Sequence, residues 1–160
     1  WKDFEVILCE PIKINEVKKI KMIKRGFRSL IKNPSIFFDT KKQSIKFHFD
    51  MHHGYGNLDR AIDLLESDDK EDFRNFVNHN THFNPHIMFI SKPKIIDKWF
   101  SKLFQWLENC ESIFGFKDLS GYDTQRLYAY LAERYLSYWF NKNYKVLHWP
   151  WFFFEEEKLY

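Results

Sequence analysis

Six of the seven histidines fall in one stretch: His48, His52, His53, His79, His82 and His86. Imidazole ligates divalent metals and exchanges a proton near neutral pH, so acid–base or metal chemistry would be sought here first. No His-Glu-x-x-His or comparable ligand spacing occurs, which argues against a zinc centre and for polar residues at loops and strand ends. A substrate-contacting role suits one or two of these histidines better. His53 enters the turn Met51-His52-His53-Gly54-Tyr55-Gly56, where glycines let backbone approach a ligand closely. Asn84-Pro85-His86 sets an amide and an imidazole at the mouth of an apolar segment. Both side chains donate and accept hydrogen bonds, which suits hydroxyl groups; the alternative is that Asn84 caps its own turn.

Glu133 and Arg134 stand side by side on an aromatic helix, where neighbours point about 100° apart and need not pair. Arg134 lies one position from the apolar face, so a buried charge there needs a partner. Either a distant loop supplies that partner, or the guanidinium meets a phosphate or carboxylate. Residues 13–32 carry eight Lys or Arg and one Glu, a pattern that fits a solvated helix packed on the core or a contact with anionic lipid. Phosphate-binding glycine loops, nucleophile elbows and paired cysteines are absent. Asp68-Asp69 is adjacent and reads as a helix start rather than a metal site.

These residues need elements to hold them. Phe4–Cys9 reads as a buried strand closed by Pro11. Ile20, Ile23, Phe27 and Leu30 recur at helical spacing, so 12–32 reads as an amphipathic helix with that face on the core, stopped by Asn33-Pro34. Residues 44–49 alternate as a strand does. Leu58, Ala61, Ile62 and Leu65 mark a short helix, and Asp68 with Glu71 suggests a capping box for another that buries Phe73, Phe76 and Val77. Residues 85–91 read as a strand, followed by a long helix with Ile96, Trp99, Phe100, Leu103 and Leu107 on one face. Ser120 with Asp123 suggests the cap of a last helix that runs to about Asn141 and buries Leu127, Leu131, Tyr135, Tyr138 and Trp139. The tail 144–154 reads as one or two strands broken by Pro150. Strands interleaved with helices predict a single mixed α/β domain, helix-rich toward its C-terminal half.

Composition limits the function classes. Aromatic residues make up 20% of the chain (18 Phe, 8 Tyr, 6 Trp), enough both to fill a core and to line a ring-stacking site. A net charge of +3 excludes strong bulk attraction to nucleic acid. The acidic triplet 155–157 offsets the basic segment at the other end. Cys9 and Cys110 lack paired spacing and read as free core thiols of a cytoplasmic protein. No apolar run approaches the ~20 residues a membrane span needs. The chain opens at Trp1 with no initiator Met, so an N-terminal portion is expected to precede it.

From Phe49 to Phe153 the sequence resembles a family of uncharacterised bacterial glycosyltransferases of capsule and surface-polysaccharide clusters. The blocks that carry the likeness are Met51-His52-His53-Gly54-Tyr55-Gly56-Asn57-Leu58-Asp59, Phe83-Asn84-Pro85-His86-Ile87-Met88-Phe89-Ile90, the helix around Trp106-Leu107, and Leu131-Ala132-Glu133-Arg134-Tyr135-Leu136-Ser137-Tyr138-Trp139. Phe4–Pro11 is similar to the family's strand D-x-I-L-P-x-P, with Cys9 and Glu10 departing from it. The resemblance implies a GT-A-like, Rossmann-like fold of which this chain is the C-terminal portion. It implies a nucleotide-sugar donor, a glycan acceptor and a possible divalent metal whose ligands it does not specify. By the same resemblance Glu133 and Asp59 are the catalytic candidates, Glu133 as a base or orienting group. His53 and His86 would touch donor phosphate, metal or sugar, Asn84 a hydroxyl, and Arg134 would compensate charge. The cysteine usage predicts a cytoplasmic protein, and the basic segment 12–32 is the candidate for peripheral contact at the inner face of the membrane. The competing reading is a glycan- or protein-binding module without chemistry; single-stranded nucleic-acid binding ranks below both.

Overall fold

The computed structural model describes residues 3–117 and 119–152; the acidic triplet 155–157 and the end of the expected tail strand lie outside the described residues. The fold is mixed α/β and mostly helical. A three-stranded sheet has the order β4-β1-β5, from β1 (Val6–Cys9), β4 (Phe89–Ser91) and β5 (Val146–Trp149). β1 runs antiparallel to β4, with Leu8 opposite Phe89, and parallel to β5, with Cys9 opposite Trp149. Val6 and Leu8 turn into the helical core, while Ile7 shares the opposite face with its register partners Ile90 and Leu147. A two-residue ladder joins β2 (Ile12–Lys13) to β3 (His82–Phe83).

The core is aromatic. It gathers Phe73 of α4 (Ser67–His79), Trp99 and Trp106 of α5 (Pro93–Phe114), and Tyr135 and Phe140 of α7 (Leu127–Asn143). Trp106 meets Phe73 and Tyr135 at 5.9 and 5.1 Å between ring centres, and its indole N–H donates to the carbonyl of Ala61 at 2.7 Å in α3 (Asn57–Asp63). The Tyr135 hydroxyl is likewise satisfied, by Asp69, whereas the buried indole N–H of Trp99 has no hydrogen-bond partner.

Residues 44–49 are not a strand. Ile45–His53 forms helix α2, started by Ser44, whose hydroxyl accepts from the amide of Phe47. α2 lies between two apolar clusters. Ile45 and Phe49 enter the main core; Phe47 and Met51 join a smaller one with Met22 and Ile36. On a helix, positions two apart point nearly opposite ways. A helix packed on both sides therefore reproduces the alternation of a strand.

The basic helix differs twice from its sequence reading. Helix α1 begins only at Lys19 and ends at Lys32, because Ile12 and Lys13 pair with β3 and Ile14 donates to the carbonyl of Thr81. Its core face is Met22, Gly26 and Ser29, whereas Ile20, Ile23 and Phe27 face outward. Gly26 sets how closely α1 approaches α2: a Cβ there would stand 3.0–3.2 Å from Phe47 and Met51. Gly26→Leu is accordingly expected to destabilise the fold by about 1–3 kcal/mol through overpacking, despite better helix propensity, as read from a urea titration.

α4 starts at Ser67 with Glu66 as its cap residue and no side-chain cap bond, so Asp68 sits inside its first turn. The strand expected over 85–91 shortens to Phe89–Ser91 because the chain bends at His86 and Ile87. The last helix does not start from a Ser120–Asp123 cap. A short α6 (Tyr122–Gln125) follows Gly121, Arg126 breaks it, and α7 begins at Leu127. The buried stripe of α5 is Ile95, Trp99, Leu103, Trp106, Cys110 and Phe114, which leaves Phe100 exposed at its rim.

Candidate functional site at the carboxyl end of the parallel strands

Ligands of open α/β sheets bind beyond the carboxyl ends of parallel strands. Here β1 and β5 end together at Cys9 and Trp149. The segment after β3, the chain after β5 and one face of α7 meet around them. That face is polar: Tyr130, Arg134, Ser137 and Asn141 recur at spacings of four, three and four.

Arg134 is fully buried. Its Nη1 lies 2.7 Å from Oε2 of Glu133, so the adjacent residues do pair, and its guanidinium covers the Phe83 ring at 4.0 Å. The Phe49 and Tyr130 rings stand at 5.7 and 6.0 Å. Burial pulls its pKa down to about 10, with Glu133 acting the other way, so it remains a cation at neutral pH. Its Nε is a buried donor with no partner. His53 is buried and stacks on Tyr130 at 3.7 Å between ring centres. His48 stands next to His52, and burial, followed by the charge of Arg134, drives its pKa down to about 2. It is therefore a neutral imidazole at any working pH.

The Asn84 side chain is committed internally. Its Nδ2 donates to the carbonyl of Cys9 at 2.6 Å, and its Oδ1 accepts from Ser137 at 3.0 Å and Asn141 at 3.4 Å. It ties the segment after β3 to β1 and α7 rather than capping its own turn, and these bonds occupy both ends of its amide. The Cys9 thiol donates to the carbonyl of Pro85, and burial pushes its pKa up, with smaller contributions that include repulsion by Glu133. Cys110 is pushed by burial up to about 12. Both thiols stay protonated at neutral pH. His86 adopts φ 63°, a left-handed backbone that is unusual for a residue with a side chain, and meets Trp151 edge to face at 4.9 Å. It flanks an apolar cleft of about 530 Å³ lined by Ile7, Cys9, Phe89, Ile90, Trp149 and Trp151.

Glu133, Arg134 and His53 thus form one cluster. Asn84 and His86 adjoin it through Cys9 and Pro85. Asp59 does not join: it pairs with Lys46 at 2.8 Å and Arg74 at 3.8 Å, in a network tying α3 to α2 and α4. His79 and His82 are exposed elsewhere. Among the described residues no three His, Cys, Asp or Glu side chains gather to hold a metal ion. Tyr130, Ser137 and Asn141 were not singled out from the sequence, although the polar stripe of α7 marks them. Phe83, under Arg134, carries no such signal, because its partner lies 51 positions away.

A mostly helical mixed α/β domain with a polar cluster at its strand ends defines the class. The chain belongs to the family described as Domain of unknown function (DUF4422), whose profile matches residues 10–144. No curated protein and no solved structure matches it. No described helix is long and apolar enough to cross a membrane.

Proposed function

We propose that this domain serves a cytoplasmic, GT-A-like glycosyltransferase that moves a sugar from a nucleotide-sugar donor to a surface-polysaccharide acceptor. The observation that carries this reading is the cluster of Glu133, Arg134 and His53, tied to the end of β1 through Asn84, which bonds both Ser137 and Cys9; His86, two residues on, meets Trp151 at the rim of a cleft that those three residues do not line. Indole faces stack on sugar rings, and the imidazole of His86 stands at the cleft edge to contact a hydroxyl. Glu133 is the carboxylate available to activate an acceptor hydroxyl, and Arg134 holds its position. The leaving diphosphate needs cations or donors, to which the buried charge of Arg134 contributes electrostatically. Asp59 and Asn84 have structural roles in this reading.

The full-length protein, offered a panel of nucleotide sugars, is expected to hydrolyse or transfer at least one. Glu133→Gln is expected to lower that turnover about 100-fold or more with the fold retained. Absence of donor binding and turnover across the panel overturns the proposal, as does full activity in Glu133→Gln and His86→Ala together. A glycan-binding module without chemistry is favoured by one observation: Arg134 is already neutralised by Glu133. Saturation transfer to an oligosaccharide, undiminished without donor and unaccompanied by turnover, would select that reading.

A further inference from the structure

Helix α1 leaves an apolar stripe in solvent. Ile20, Ile23, Phe27 and Ile31 are 53–70% exposed. At 100° per residue the four fall within an arc of about 80°. The helix packs on α2 through a different side, Met22, Gly26 and Ser29. Lys24, Arg28, Lys21, Lys32 and Arg25 follow around the third side, and Lys19 stands on the far flank of the stripe. Residues 19–32 contain six basic residues and no acidic one.

A contiguous exposed apolar stripe marks a surface that something covers. The charge beside it selects the occupant. A second copy meeting this stripe symmetrically would bring two rows of six cations together, which opposes docking. A nucleic acid would use the cations and leave four aliphatic and aromatic side chains in water. An anionic bilayer satisfies both rows: the Ile and Phe side chains enter the acyl boundary, and Lys and Arg reach the headgroup phosphates. We propose that α1 is a surface anchor that lies flat on anionic phospholipid through Ile20, Ile23, Phe27 and Ile31, with its basic side against the headgroups. This inference rests on the exposure and charge of α1 and is independent of the chemistry proposed above.

The test is co-sedimentation of the full-length protein with vesicles of phosphatidylcholine alone or mixed with phosphatidylglycerol. Binding is expected to the mixed vesicles, to weaken as salt is raised, and to be marginal on phosphatidylcholine. Ile23→Glu with Phe27→Glu is expected to weaken it tenfold or more while the unfolding midpoint stays unchanged, since both side chains are already in solvent. Lys24→Glu with Arg28→Glu, which leaves the stripe intact, is expected to do the same. Three outcomes overturn the proposal. One is no binding by the folded wild type. Another is equal binding by the Ile23→Glu, Phe27→Glu variant, which reduces the effect to charge alone. The third is a solution dimer that the same variant dissolves, which assigns the stripe to a second copy.

Discussion

Arg134→Ala is expected to lower stability by about 3–5 kcal/mol, among the largest losses any single side chain in this domain would produce. The guanidinium fills the space between Phe83 and the Phe49 and Tyr130 rings and is the partner of Glu133. Truncation opens a void and leaves a mostly buried carboxylate without its cation. Arg134→Met restores the stem volume against the rings but not the charge, so it should recover only part of the loss. Arg134→Met combined with Glu133→Gln removes both charges together and should recover more. Urea unfolding of the four proteins measures the series; a loss below about 1 kcal/mol for Arg134→Ala shows that the pair does not hold the site. The double variant also separates roles: a folded protein without turnover makes the pair functional as well as structural.

Asp69→Asn is expected to cost about 2–4 kcal/mol and to change the acid limb of stability. Asp69 receives the hydroxyls of Tyr135 and Tyr138, both at 3.0 Å, and the ammonium of Lys142 at 3.1 Å. Burial pulls its pKa upward, but the bonds from Lys142, Tyr138 and Tyr135 outweigh it and hold the carboxyl below its ordinary value. Burial raises Tyr138 to about 12, so its hydroxyl remains a donor at neutral pH. A carboxyl whose folded pKa is depressed contributes stability above its unfolded pKa, near 4, and that contribution fades as pH falls through the lower folded value. Wild-type stability should therefore fall more steeply than that of Asp69→Asn below about pH 4. Thermal melts from pH 6 to pH 2, within the range that remains folded, report this; parallel curves for the two proteins would show that Asp69 is not held in its charged form.

How much of this was legible in the sequence depends on whether a side chain's partner was local. Leu58, Ala61 and Ile62 of α3, and Leu127, Leu131 and Tyr135 of α7, declared their helices through periodicity and are buried as read. The strand at Val6–Cys9 and the stop at Asn33-Pro34 were also legible. α2 misled because two cores on opposite sides impose a period of two on a helix. α1 misled because its most conspicuous apolar pattern faces solvent, while its packing face is a methionine, a glycine and a serine. In the site, Glu133-Arg134 and the turn at His53 could be picked out as unusual chemistry on otherwise apolar elements. Their surroundings could not. Asn84 looks like a ligand until Cys9, Ser137 and Asn141 arrive from distant positions to occupy it. Asp59, a catalytic candidate by resemblance alone, stands apart from the cluster of Glu133, Arg134 and His53, paired with Lys46 and Arg74.

Pairing of β1 with β5 has a kinetic consequence. Val6 lies opposite Val146, so the central strand gains one of its two neighbours only when residues 140 positions apart meet. The α1–α2 contact needs a far shorter loop and should form early, whereas the parallel ladder must await α7, which delivers β5 to it. Until then the apolar edge of Val6–Cys9 is open to any extended segment nearby, which makes late closure of that edge the step at which a nascent chain is most exposed to aggregation.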